Sequence, residues 1–205
     1  MKKTLAQFIT TLSTSTISEE RKADFLPLIR YINEKTEKNE PLHLNFICTH
    51  NSRRSQLSQL WAKVMGEYHN VELSSYSGGV EVTACNERVI TALTTQGFSI
   101  EKAGETKNPK YTIKWNEVDY GAYFSKIYDD NANPTKGFAA VMTCAHADEN
   151  CPFIPGAEQR IPLRYEDPKR FDNTKNEAQA YLEKSIEIAT EMHYIFSSLN
   201  NWATL

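Results

Sequence analysis

Nowhere in the sequence do roughly 18 apolar residues run together, so no membrane-spanning helix is expected. Basic residues are not in excess: Lys plus Arg is 23, Asp plus Glu is 26, and the net charge is -3. That balance argues against nonspecific binding to nucleic acid. Glycine and proline are sparse, 8 each in 205 residues, and no repeat or low-complexity tract interrupts the chain. With 11% aromatic residues as well, chain-wide disorder is excluded. A clean secretory leader is lacking too. Met1-Lys2-Lys3 is followed by Leu5, Ala6, Phe8 and Ile9, but Gln7, Thr10 and Thr11 break the apolar run and no small-x-small site follows. Residues 4–13 are expected to form a helix, and the protein is expected to be cytoplasmic. In that compartment the four cysteines, Cys48, Cys85, Cys144 and Cys151, are expected to be thiols with chemistry rather than a disulfide frame.

A chain of this length buries roughly 70% of its unfolded surface, enough for one substantial core. Residues 1–40 read as a helical extension. Ser18-Glu19-Glu20 predicts a helix start, and Phe25, Leu26, Leu28, Ile29 and Ile32 an apolar face, with Pro27 placed in the first turns or kinking the helix. The extension carries no chemical motif and would pack on the main domain or on a second copy, a possible homodimer contact. From Pro41 strands alternate with helices: a strand at 42–47, an apolar helical face of Leu57, Leu60, Trp61, Val64 and Met65, and a strand at 71–77 ending at Gly78-Gly79. A helix over 86–96 stopped at Gly97, a buried-type strand at 138–143 and a long helix from Ala178 to Leu199 follow. The alternation implies an α/β domain over 41–205 with a parallel sheet covered by helices on both faces. Residues 104–137 interrupt it and read as a β-hairpin insertion, with strands at 111–115 and 123–128.

Three segments carry chemistry. The first is Cys48-Thr49-His50-Asn51-Ser52-Arg53-Arg54-Ser55, between a strand and a helix. Backbone N–H groups at a helix start converge on one point and the helix dipole favours an anion there, including the thiolate of a cysteine. Thr49 to Arg54 would bind a tetrahedral oxyanion, Arg54 through two of its oxygens, with Cys48 as nucleophile. The bland alternative is a buried cysteine ending a strand. The second segment is Cys144-Ala145-His146-Ala147-Asp148-Glu149-Asn150-Cys151-Pro152. Two cysteines seven residues apart on a helix lie about 10 Å from each other, too far for a disulfide without unwinding. A redox pair there demands a mobile segment. A metal site with His146 is disfavoured by the spacing, and unrelated buried thiols are the default. The third is Tyr165-Glu166-Asp167-Pro168, where Asp167 could protonate a leaving oxygen, although Asp-Pro is a common turn.

Together these segments resemble the thioredoxin-coupled arsenate reductases, which share a fold with the low-molecular-weight protein tyrosine phosphatases. The Cys-x5-Arg-Ser loop from Cys48 to Ser55, with Gln56 and Trp61, is the shared motif. Ser77-Gly78-Gly79 and Asp167-Pro168 are similar in both groups, and Thr143-Cys144, Ala147-Asp148 and Cys151-Pro152 resemble the reductases' redox segment. The resemblance covers 42–103 and 138–199 and leaves out 1–40 and 104–137. It implies a three-layer sandwich around a four-stranded parallel sheet. It also implies arsenate as substrate, no bound cofactor or metal, and thioredoxin or a similar thiol reductant as electron donor and partner. Cys48 would attack arsenic, Ser55 would support its thiolate, and Asp167 would protonate the departing oxygen. Cys144 would then form a disulfide with Cys48, and Cys151 would take it over as Cys144–Cys151.

Some positions depart from that pattern. His50 stands where glycine is usual, Arg53 replaces a smaller residue beside the anion site, and Gln59 replaces an acid near a potassium site. Lys169 and Arg170 stand where the phosphatases carry aromatic walls. Cys85 reads as a core or helix-start thiol. A phosphomonoesterase using only Cys48, Arg54 and Asp167 is the second reading, and a noncatalytic oxyanion-binding module the third.

Overall fold

The computed structural model describes residues 4–150 and 153–199. Four parallel strands form the central sheet: β1 (His43–Cys48), β2 (Ser74–Gly79), β6 (Phe138–Met142) and β7 (Ala157–Pro162), in the order β2-β1-β6-β7. A second, antiparallel sheet holds β3 (Ser99–Ala103), β4 (Lys110–Trp115) and β5 (Val118–Tyr123). The helices are α1 (Leu5–Ile9), α2 (Glu19–Glu37), α3 (Arg54–Tyr68), α4 (Glu87–Gln96), α5 (Ala145–Asn150) and α6 (Glu177–Ser197).

Alternation along β1 divides the core between the two sides of the sheet. Leu44 and Phe46 pack with α2, α3, α4 and α6, where Trp61, Leu93 and Ile188 are buried. Ile47 points to a smaller cluster on the other side, with Met142, Cys144, Ala147 and Ile154, which Cys48 joins from the end of the strand. The arrangement is thus a three-layer α/β sandwich with one thick and one thin outer layer.

The extension shares the larger core. Ile9, Phe25, Leu28, Ile29 and Ile32 are buried in it, and the Phe8 ring stacks on Trp61 with centroids 5.6 Å apart. Ser18 caps α2 by accepting from Arg21 N at 3.2 Å, as its sequence predicts. Pro27, however, lies well inside α2 rather than in its first turns. The helix loses one backbone bond there, and the buried apolar residues on either side of Pro27 offset the loss. Helix α1 is shorter than the expected 4–13, ending at Ile9 before a 3-10 turn at Thr14–Thr16.

The insertion differs from a hairpin. It is a three-stranded meander beginning at Ser99, and its last strand is Val118–Tyr123, not 123–128. Asn116, at φ 52°, supplies the left-handed residue of a two-residue turn between β4 and β5. Tyr111, Ile113 and Trp115 alternate inward on β4, and Tyr120 and Tyr123 meet them from β5. Strand β2 begins at Ser74, later than the expected 71, and runs through Gly78-Gly79. The α4 boundaries agree with the sequence: Asn86 accepts from Arg88 N at 3.0 Å, and Gly97 ends the helix at φ 117°.

A candidate oxyanion loop and its paired thiols

Strand β1 ends at Cys48 and α3 begins at Arg54, so the intervening loop sits at the carboxyl end of the sheet. The loop carbonyls are held outward. Val80 N donates to Thr49 O at 2.8 Å, Ser125 Oγ to His50 O at 2.9 Å, Gln56 Nε2 to Asn51 O at 2.9 Å, and Asn86 N to Ser52 O at 2.9 Å. The N–H groups of Thr49 to Arg53, by contrast, have no acceptor among the described residues. The first N–H groups of α3 add to the same donor set. Unpaired donors with outward-turned carbonyls form a cradle for an oxyanion.

Asn51 makes the turn possible. It sits at φ 45°, a left-handed conformation that asparagine tolerates. Its side chain then serves two neighbours: Oδ1 accepts from Lys126 N at 3.0 Å and Nδ2 donates to Ser55 Oγ at 2.9 Å. Ser55 Oγ also lies 3.0 Å from Cys48 Sγ. Ser55 Oγ accepts from the Asn51 amide nitrogen, which leaves its own hydroxyl proton free to be given to the sulfur.

Arg54 and Asp167 meet directly. Arg54 Nη2 donates to Asp167 Oδ2 at 2.7 Å and Nη1 to Tyr165 O at 3.0 Å, while buried Nε has no partner among the described residues. Asp167 also accepts from Lys169 N at 3.0 Å, capping the 3-10 turn at Pro168–Phe171. An incoming oxyanion competes with the Asp167 carboxylate for the same guanidinium. The extension supports this corner: Arg21 pairs with Glu191 at 2.8 Å and lies over the Tyr165 ring, 5.1 Å from its centroid.

Arg53 is turned away from the loop centre. Its Nε donates to Tyr181 Oη at 2.7 Å and its Nη2 to Asp172 Oδ2 at 3.3 Å, with Asp167 4.0 Å away. His50 lies at the rim, 3.3 Å from Glu81. Gln59 Oε1 accepts from Ser77 Oγ at 2.6 Å under the loop.

The second thiol lies beside the first segment. Cys144 is 1% exposed and Cys48 3%, and both belong to one apolar cluster. Thr49 Oγ1 is 3.5 Å from Cys144 Sγ and 3.3 Å from His146 Nδ1. Helix α5 is pinned by Asp148, which is ion-paired to Arg160 and accepts from Arg164 Nε at 2.6 Å. Cys151 lies outside the described residues. Cys85 is buried on another wall, where burial pushes its thiol up to about 12 despite Lys126 nearby. Burial pulls the Lys126 ammonium down to about 8.

The structure thus brings Cys48, the loop amides, Arg54, Ser55, Asp167 and Cys144 to one end of the sheet. Sequence reasoning missed Asn51 as support for Ser55, the strap at Phe124–Lys126, and the Thr49 bridge to His146. The last two come from segments far apart in sequence, and no local pattern signals them. For Asn51 a local signal existed, since asparagine is among the few residues that tolerate the left-handed conformation a tight loop needs.

No protein-family model matches the chain. A protein named arsenate reductase 1 from Staphylococcus saprophyticus is 28% identical over 145 residues, covering 68% of this chain and 92% of that protein. Among solved structures, an arsenate reductase from Archaeoglobus fulgidus aligns with a TM-score of 0.50 at 17% identity, covering 75% of this chain and 98% of that one. A low-molecular-weight protein tyrosine phosphatase from T. tengcongensis aligns with a TM-score of 0.51 at 12% identity, covering 77% and 99%. The chain is therefore related in sequence to the arsenate reductases, and it carries the α/β fold that their solved structures share with the low-molecular-weight tyrosine phosphatases.

Proposed function

We propose that this protein is a cysteine-dependent arsenate reductase that works through a thiol relay. The observation that supports it most is the second buried thiol, Cys144, joined to the Cys48 loop through Thr49. Arsenate would occupy the loop amides and Arg54, and Cys48 would attack arsenic as Asp167 protonates the departing oxygen. Cys144 would attack the Cys48 adduct, releasing arsenite and forming Cys48–Cys144. Cys151 would then attack that bond and leave Cys144–Cys151. The two electrons that restore the thiols come from an external dithiol protein of the thioredoxin class. The relay needs α5 to unwind, and Asp148 with Arg160 and Arg164 is the anchorage it must break.

A second reading has its own support. A cavity of about 510 Å3 opens beside the loop, bounded by His50, Arg53, Arg88, Lys107, Tyr111 and Lys169. Free arsenate needs no such volume, whereas the organic part of a phosphate ester would fit it. Ester hydrolysis would use Cys48, Arg54 and Asp167 alone.

The variant Cys144→Ser separates the two. Arsenate turnover with a thioredoxin system is expected to disappear, while hydrolysis of an aryl phosphate is retained. Equal loss of both activities would contradict this division of roles.

A further inference from the structure

We infer that Arg53 is a positioning residue for Asp167, its side chain anchoring the turn that carries the acid to the oxyanion loop. This rests on attack by Cys48 with Asp167 as the acid, the step that the reductase and phosphatase readings share. A second arginine beside Arg54 suggests, from sequence, another hand on the oxyanion. Its side chain has a different job.

Arg53 Nε donates to Tyr181 Oη at 2.7 Å, and Tyr181 Oη donates to Asp172 Oδ1 at 2.7 Å. The directions are fixed, because a guanidinium only donates and a carboxylate only accepts, so the phenol takes one bond and gives the other. Arg53 Nη2 closes the circuit on Asp172 Oδ2 at 3.3 Å. The network is sheltered: Tyr181 is buried, and the Arg53 and Asp172 side chains are 12% and 18% exposed. Sheltered, charge-assisted bonds fix geometry in a way that exposed ion pairs do not. Arg88 reaches the same carboxylate from α4, 3.8 Å from Asp172 Oδ1.

Asp172 and Asp167 are the two ends of one 3-10 turn, Pro168–Phe171. Asp167 caps its start by accepting from Lys169 N at 3.0 Å, and Asp172 N closes its end on Lys169 O at 2.9 Å. Holding Asp172 therefore holds Asp167. The direct contact of Asp167 is with Arg54, at 2.7 Å, and a bound oxyanion competes for that guanidinium. The anchorage through Arg53 does not involve Arg54, so it is kept when the oxyanion is bound. Arg53 is itself the last loop residue before α3, which ties the turn to the cradle through a single side chain. Its Nε stays 4.0 Å from Asp167 Oδ1, and it acts through Asp172. In ester transfer Cys48 Sγ attacks phosphorus, and the P–O bond breaks with its electron pair on oxygen. Asp167 supplies the proton that this oxygen takes up.

The test uses the full chain and two esters. Phenyl phosphate has a strongly basic leaving oxygen and needs the proton; 4-nitrophenyl phosphate has a weakly basic one and needs it less. Arg53→Met is expected to lower kcat/KM about a hundredfold for phenyl phosphate and less than about tenfold for 4-nitrophenyl phosphate. Asp172→Asn, which weakens the same anchorage from the other side, is expected to show the same bias towards the poor leaving group. Added to Asp167→Asn, Arg53→Met is expected to cost less than about threefold more, because both changes remove one function. Competitive inhibition by inorganic phosphate is expected to stay within about threefold in Arg53→Met, since its side chain is turned from the loop centre. A packing role predicts equal losses on both esters, and a role in holding the oxyanion predicts weakened phosphate inhibition. Either result, or losses that add to those of Asp167→Asn, would overturn the inference. A parent that neither hydrolyses the esters nor reduces arsenate would overturn the Cys48 and Asp167 reading itself, a different outcome from an active parent whose Arg53 variant is unchanged.

Discussion

Ser55 has one proton and two neighbours, and its chemistry follows from which neighbour can accept. Asn51 Nδ2 donates to its oxygen, which leaves the proton for Cys48 Sγ at 3.0 Å. Hydrogen bonds to charged groups contribute roughly 1.5–3 kcal/mol, so Ser55→Ala should slow alkylation of Cys48 by iodoacetamide at least about tenfold at about pH 6. An unchanged rate would mean that Ser55 only packs. Lys126 gives a second residue-scale prediction. It is 5% exposed, and burial lowers it from 10.5 to about 8. Between those values the unfolded chain binds the proton that the folded chain has lost, so this group's contribution to stability rises with pH across that window. At neutral pH the folded state holds the charge at a cost on the order of 3 kcal/mol. Lys126→Met should therefore stabilise the protein at about pH 7, with the gain shrinking above pH 8. Denaturant melts of both proteins across that range check it, and a pH-independent difference would contradict it.

At the scale of elements, the end of β2 is built for close approach. A methyl group on Gly79 would lie 2.7 Å from Asn51 N and 2.7 Å from Glu81 O, both backbone atoms that cannot swing aside. Gly79→Ala should displace the loop and weaken inorganic phosphate binding by more than about tenfold, a loss of about 1.4 kcal/mol. Calorimetric titration of the folded variant checks it, and parent-like affinity would show that the loop relaxes freely. The Ser77-Gly78-Gly79 run was legible in sequence, and so were β1, α3, α4 and α6, because their apolar spacing or capping residues act locally. Strand β7 was not: Ala157-Glu158-Gln159-Arg160-Ile161-Pro162 is a polar sheet edge with one buried apolar residue, Ile161, and only its pairing with β6 makes it a strand. The last insertion strand was placed five residues late for a related reason. Phe124 to Tyr128 has the residue types of a strand, but its hydrogen bonds go to the anion loop and to Gly79 instead of a ladder. Backbone pairing over such sequence distances leaves no local trace.

The described residues pack on both sides of one central sheet, with the candidate site at its carboxyl end. The extension feeds Phe25, Leu28 and Ile32 into the core that also holds Trp61 and Ile188, and it sends Arg21 to Glu191 and over Tyr165, whose carbonyl positions Arg54. The insertion sends Ser125 and Lys126 under the loop. Both segments that the family resemblance leaves uncovered thus end as supports of the oxyanion site. The catalytic loop was legible because a strand, Cys-x5-Arg-Ser and a helix are contiguous. The placement of Cys144 and Asp167 against it was inferred by resemblance, since only the fold brings positions about a hundred residues apart together. The central claim is that these residues reduce arsenate with electrons from an external dithiol. The most direct measurement is arsenate-dependent oxidation of NADPH in the presence of thioredoxin and thioredoxin reductase, with hydrolysis of an aryl phosphate followed in parallel. Sustained NADPH oxidation that needs both arsenate and Cys144 is the predicted result. Ester hydrolysis with no arsenate-dependent oxidation would contradict the account and make Cys144 a structural thiol beside a phosphatase loop.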